Sequence, residues 1–253
     1  ININSDSMHG AYLGPEFSDE EIESQLKQCS ANYKKIPEQE LIELIASSLS
    51  NEKAIGWMQG RMEFGPRALG ARSIIADPRS PTMQKQLNLK VKYRESFRPF
   101  APSILNEDVN QWFEHDKASP YMLIVASLKK NKKRIMTPDE EKLFGIEKLN
   151  IPRSSVPAVT HIDYSARIQT VHSNTNPKYH ALISNFKKKT GIPILVNTSF
   201  NVRGEPIVCS PTDAFRCFMG TELDILVIEN FVLFKEDQVD GLLNNYKDMY
   251  ELD

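Results

Sequence analysis

Short apolar runs alternate with stretches of helical periodicity along this chain, and that alternation restricts its fold more than any other feature. The runs at 53–58, 73–76, 192–196, 223–228 and 232–234 are too short for buried helices and favour β-branched residues, so they read as strands. Ser18-Asp-Glu-Glu21 has the form of a capping box and predicts a helix to about Cys29. A second helix should follow Pro37 on Leu41, Ile42, Leu44, Ile45 and Leu49, and a third should follow Pro81 on Met83, Leu87 and Val91. Two more are predicted at 177–190, closed by Gly191, and from Ser210-Pro-Thr-Asp, with proline in its first turn. A fully buried strand at 121–128, a strand at 167–171, a long polar surface loop over 129–157 and a polar helix at the end complete the reading. Strands and helices that alternate in this way predict an α/β fold.

A 253-residue chain with 40% hydrophobic residues can fill a real core, which excludes disorder, collagen and coiled coil as descriptions of the whole. No apolar run approaches the roughly 18–20 residues of a membrane span. The opening Ile1-Asn2-Ile3-Asn4-Ser5-Asp6 has neither a basic start nor a hydrophobic signal segment, so a soluble cytoplasmic protein is expected. That polar start without methionine predicts a piece of a longer protein. Cys29, Cys209 and Cys217 are odd in number and widely spaced, as in a reducing compartment. His9, His115, His161, His172 and His180 never fall at ligand spacing, so no metal site is expected from this chain alone.

The net charge of −2 hides an uneven distribution. Between Gly60 and Ser103, nine basic residues face three acidic ones, an excess of six positive charges. This pattern suits an anionic ligand, phosphate or carboxylate, at one localised site. Four segments carry the candidate chemistry. In Gly60-Arg-Met-Glu-Phe-Gly-Pro-Arg-Ala-Leu-Gly70, glycines let backbone amides approach an anion and Arg67 offers a planar fork; the alternative is a turn with Arg67 on a structural carboxylate. In Lys92-Tyr-Arg-Glu-Ser-Phe-Arg98, the three cations cannot all be neutralised by Glu95, and Pro99, Phe100 and Pro102 tie the backbone into apolar packing. Asn197-Thr-Ser199 is a polar cluster expected beyond a strand end, where α/β sheets bind ligands, or else a hydrogen-bonded turn. Ser199 has no adjacent His or Asp, which excludes a hydrolase triad. Arg167 opens an apolar strand as a buried cation or a strand-edge charge. The run of cations from Lys129 to Arg134 reads as a solvated face.

Together these segments resemble the C-terminal domain of the nodulation-type O-carbamoyltransferases, a family that includes antibiotic-tailoring carbamoyltransferases. The resemblance covers nearly the whole chain. It rests on GRMEFGPRALGARSIIADPR from Gly60, KVKYRESFRPFAPSIL from Lys90, AVTHIDYSARIQTV from Ala158 and PILVNTSFNVRGEPIV from Pro193. The stretch His9–Ser18 resembles the tail of the family's N-terminal kinase-like domain. The resemblance implies a YrdC-like open twisted sheet flanked by helices at 18–253, preceded at 1–17 by the tail or linker of that kinase-like domain. It implies that carbamoyl phosphate yields carbamate, which attacks the α-phosphate of ATP to give carbamoyl adenylate and pyrophosphate. The N-terminal domain, the partner that holds iron, would then pass the carbamoyl group to an acceptor hydroxyl. By motif, Lys92 and Arg98 should be catalytic, neutralising the α-phosphate and carbamoyl phosphate. Arg67 should hold a phosphate or carbamoyl oxygen, Arg167 should bind substrate as a cation opposite Lys92 and Arg98, and Asn197 and Ser199 should give neutral hydrogen bonds to nucleotide or carbamate. Mg²⁺ should travel with ATP, held mainly by the phosphates. The alternatives are an RNA-binding YrdC-like module, which the overall acidity disfavours, and a non-catalytic regulatory domain.

Overall fold

The structure is a computed structural model that describes residues 6–149 and 151–239. Among them, nine strands make one open sheet: β1 (Lys34–Lys35), β2 (Ile55–Met58), β3 (Arg72–Ala76), β4 (Ala101–Leu105), β5 (Ile124–Ser127), β6 (Ser165–Val171), β7 (Ile194–Ser199), β8 (Ile225–Ile228) and β9 (Phe231–Phe234). Their spatial order is β1-β9-β8-β2-β3-β7-β4-β6-β5. Five helices of eight residues or more flank the sheet: α1 (Asp19–Gln28), α2 (Glu38–Ser50), α3 (Met83–Lys90), α4 (Pro177–Thr190) and α5 (Pro211–Met219). The α/β class and the open sheet flanked by helices are thus what the chain adopts. No helix among the described residues is long and apolar enough to cross a membrane.

Local chemistry sets the helix ends. Ser18 accepts the Glu21 N–H at 3.3 Å while the Glu21 carboxylate accepts the Ser18 N–H at 2.7 Å, a reciprocal cap for α1. Ser210 and Asp213 repeat that box at α5. Gly191 closes α4 at φ 78°, where a Cβ would be strained. The strands alternate sides as the period of two demands. Leu105, Val171, Leu195, Ile75 and Val227 meet α2 and α4 on one face, whereas Ile104, Ile168, Ile194, Val196 and Leu226 belong to the core on the other face.

Several local features differ from the sequence reading. The strand expected to be fully buried at 121–128 is only Ile124–Ser127; it ends the sheet, and Leu123, Ile124 and Val125 are 68%, 45% and 59% exposed. Apolar composition cannot bury a strand that has nothing packed over it. The strand expected at 192–196 runs on to Ser199, so Asn197 and Ser199 lie within β7 rather than in a loop beyond it. A central strand, β4, occupies Ala101–Leu105 despite Pro102; that residue needs no N–H partner because the parallel ladder with β6 begins at Ser103. The surface segment 129–157 contains short helical turns at Lys130–Lys132, Pro138–Glu141 and Gly145–Leu149. The strand at 167–171 starts two residues earlier, at Ser165. The polar helix expected at the end lies outside the described residues.

The candidate site follows from this topology. On the face covered by α2 and α4, apolar Leu105, Val171 and Leu195 lie beneath the helices. Farther along the same face the side chains turn polar, with Ser103, Gln169 and Asn197, and then come Arg167 and Ser199.

Candidate functional site

The segment 60–71 folds back over those polar side chains and is held from every side. Buried Glu63 accepts the N–H groups of Leu69, Ala71 and Arg72 on one oxygen at 2.5, 3.1 and 3.2 Å. The Leu69 carbonyl accepts Gln169 Nε2 at 2.6 Å and the Tyr12 hydroxyl at 2.7 Å. Asn197 Nδ2 donates to the Ala68 carbonyl at 3.1 Å, and Trp57 Nε1 donates to the Gly70 carbonyl at 3.1 Å. Gly70 sits at φ 103°, and a Cβ there would lie 2.4 Å from the Tyr179 ring, so no other residue fits. Charge-assisted and buried bonds of this kind fix the loop before any ligand arrives.

A cavity of about 280 Å³ opens beneath the loop, lined by Arg67, Arg94, Arg98, Arg167, Asn197 and Ser199 together with Phe100 and Met122. Among the described residues, no aspartate or glutamate lines it. Nε of both Arg67 and Arg167 is buried without a hydrogen-bond partner. Burial, and then the charge of Arg67, pushes the Arg167 guanidinium below its ordinary value. Four cations with no counter-charge in the wall repel one another and are stabilised by an anion. Asn197 is 1% exposed, and its Nδ2 also contacts Ser103 Oγ and Gln169 Oε1, both at 2.9 Å. Its Oδ1 is a buried acceptor without a partner.

The sequence-derived residues Arg67, Arg98, Arg167, Asn197 and Ser199 therefore meet in one cavity, although they come from distant segments. Lys92 is not in the lining. It is 3% exposed, and its Nζ donates to the Ser199 carbonyl, to Ser199 Oγ at 3.3 Å and to the Asn201 carbonyl and Oδ1 at 2.8 and 2.9 Å. Its ammonium thus ties the end of β7 to the following turn, one layer behind the wall. Burial pushes Lys92 down to about 7. Since the unfolded chain holds this proton to about 10.5 and the folded one releases it above about 7, the unfolded state binds more protons in between. Stability should accordingly climb between those pH values by up to about 1.4 kcal/mol per pH unit. The difference in thermal midpoint between wild type and Lys92→Met should rise from pH 7 to pH 9.5. A flat difference would mean that the four oxygens around Nζ keep it protonated.

Sequence reasoning missed Arg94 as a wall residue, although its charge run had pointed to the segment. Not all of the local positive charge faces this cavity. Buried Arg72 donates to the carbonyls of Pro15, Gln59, Gly60, Ala71 and Cys209, Arg79 pairs with Asp77 at 2.6 Å, and Lys90 pairs with Glu222 at 2.8 Å. In the run Lys129–Arg134, Arg134 pairs with Glu140 at 2.8 Å and Lys132 lies over the Trp112 ring at 4.1 Å; none of the run lines the cavity. A second cavity of about 420 Å³ lies beside Tyr12, Gln59 and Lys178, but its cations are matched, Arg61 by Glu16 and Lys178 by Glu229. Of these two cavities, the first has the unmatched charge of an anion site.

A family model described as carbamoyltransferase C-terminus matches residues 46–235. An uncharacterized protein of Synechocystis sp. is 60% identical over 235 residues, covering 92% of this chain and 38% of that protein. Nodulation protein NolNO of Sinorhizobium fredii is 40% identical over 228 residues, 88% of this chain and 31% of that protein. The 3'-hydroxymethylcephem-O-carbamoyltransferase of Streptomyces clavuligerus is 35% identical over 184 residues, 73% of this chain and 31% of that protein. The chain thus spans 31–38% of the length of these relatives.

Proposed function

The chain belongs to the carbamoyltransferase C-terminal family, and from that membership we propose that its arginine-lined cavity binds carbamoyl phosphate and ATP and forms carbamoyl adenylate. The observation that carries this reading is the set of four guanidinium groups around a cavity whose lining, among the described residues, contains no acid. Water cleaves carbamoyl phosphate to carbamate and phosphate. A carbamate oxygen then attacks the α-phosphorus of ATP, and the bond to the β-phosphate oxygen breaks to release pyrophosphate. Carbamate is already an anion, so the step needs no general base. It needs fixed cations for the charge that develops on the phosphoryl oxygens and on the leaving group.

Arg67, Arg98 and Arg167 take phosphate or carbamoyl oxygens, and Ser199 gives a neutral contact. Asn197 has spent its donors on the loop and on Gln169 and Ser103, so it offers an acceptor; that suits the NH₂ of a carbamoyl group rather than a phosphate. Lys92 acts from behind by holding Ser199 and Asn201 in place. With no carboxylate or imidazole in the lining, Mg²⁺ that enters with ATP is held by phosphate oxygens and water. Among the described residues no group of three or more His, Cys, Asp or Glu could hold a metal, so the residues here do not fit iron, which belongs on this reading to the kinase-like domain. That domain, reached through residues 1–17, passes the carbamoyl group to an acceptor hydroxyl with release of AMP, in the cytoplasm and away from membranes.

Calorimetric titration of the whole protein tests the reading. Carbamoyl phosphate and ATP should each bind, and Arg67→Ala should weaken both. Binding of double-stranded RNA with a steep salt dependence, and of neither small ligand, would move the assignment to nucleic acid. Binding of both ligands without any exchange of pyrophosphate into ATP would leave a regulatory domain.

A further inference from the structure

We propose that Arg94 is the preorganised phosphate fork of this cavity and that buried Asn88 is the residue that positions it, an assignment that rests on the carbamoyl phosphate and ATP reading of the same site. Arg94 is fixed twice. Its Nε donates to Asn88 Oδ1 at 2.6 Å, and its guanidinium carbon lies 5.0 Å from the centre of the Phe100 ring. One bond directs the edge of the guanidinium, and the ring packs against the group. Both Nη groups remain, side by side, for two parallel N–H contacts to one phosphoryl group.

Asn88 is fully buried in the last turn of α3. It holds Arg94 through Oδ1 and gives its amide hydrogens to the Ser96 carbonyl at 3.1 Å and the Arg98 carbonyl at 2.8 Å. The Asn88 carbonyl also accepts the Arg94 N–H at 3.0 Å. One side chain therefore registers the guanidinium against the backbone of the same wall. The Tyr93 hydroxyl, donating to the Gly220 carbonyl at 2.8 Å, pins the segment just before it. Burial, then the charge of Arg98, pushes Arg94 down to about 10, which leaves it charged at neutral pH and stabilised by an arriving anion.

Arg98 differs. It is exposed, and its side chain makes no hydrogen bond or ion pair among the described residues. A rim arginine loses rotamer freedom when it grips a ligand, whereas Arg94 has already lost it. Of the two arginines delivered by this segment, Arg94 contributes more to binding and to the transition state.

The probe is inorganic pyrophosphate, titrated by calorimetry into the whole protein, with thermal melts to verify folding. Arg94→Lys keeps the charge but not the fork and should weaken binding roughly ten- to fifty-fold, while Arg98→Lys, which also removes a fork from the wall, should cost clearly less, roughly three- to five-fold. Asn88→Ala should weaken binding in the wild-type background and cost markedly less in Arg94→Lys, because it acts mainly through Arg94 and only in smaller part through the Ser96 and Arg98 carbonyls that it also holds. Should Asn88→Ala not fold, Phe100→Leu takes its place in the same cycle. An equal or larger loss in Arg98→Lys, full additivity of the Asn88 and Arg94 changes, or no pyrophosphate binding by the wild type would overturn the assignment. If pyrophosphate binds with the expected pattern while carbamoyl phosphate and ATP do not bind, the assignment of Arg94 stands and the proposed function falls.

Discussion

Arg167→Met should lower the affinity for carbamoyl phosphate about 100-fold while leaving the empty protein as stable as the wild type or more so. Arg167 projects from β6 into the cavity with a buried, unpartnered Nε, and its charge faces that of Arg67. Without a ligand the side chain is a liability, since burying a cation beside another without an acid is unfavourable. With a phosphate bound, it supplies a charge-assisted contact of about 1.5–3 kcal/mol, and the like-charge repulsion is relieved as well. The two readouts should therefore move in opposite directions. Titration with carbamoyl phosphate and a thermal melt on the same sample check this. A loss of stability that parallels the loss of binding would make Arg167 a structural residue.

Arg72→Met should have the reverse signature, with a large loss of stability. Arg72 is fully buried, and its guanidinium donates to five carbonyls: those of Pro15, Gln59 and Gly60 on the N-terminal segment and the loop, of Ala71, and of Cys209 before α5. Methionine fills part of the volume and leaves those acceptors unsatisfied. Losing a buried cation from such a network costs about 3–5 kcal/mol. Urea denaturation should show that drop in the free energy of unfolding. A drop below about 1 kcal/mol would mean that water replaces the guanidinium.

The helices were legible because their ends are local chemistry. Ser18 with Glu21, Ser210 with Asp213 and Gly191 need only their neighbours in sequence, and each ends a helix where the pattern placed it. The misread strands depend on distant partners. Whether Ile124 and Val125 are covered is decided by what packs on β6, and whether Pro102 can enter a sheet is decided by where the β6 ladder begins. The site divides the same way. Arg67, Arg98, Arg167, Asn197 and Ser199, singled out by the motifs rather than by local charge, line one cavity. Lys92 and Arg94, two residues apart in one charged run, end on different layers. Their local spacing could not say which faces the cavity; Asn88 and Phe100 decide it for Arg94, and Ser199 and Asn201 for Lys92.

Exchange of labelled pyrophosphate into ATP tests most directly whether this cavity adenylates a carbamoyl group, because it reports adenylate formation without any acceptor. With the whole protein, exchange should appear when carbamoyl phosphate is added and stop when it is omitted, and Arg167→Met should slow it by about 100-fold or more. Absence of exchange with wild type, carbamoyl phosphate, ATP and Mg²⁺ all present, or exchange that proceeds equally without carbamoyl phosphate, would contradict the account.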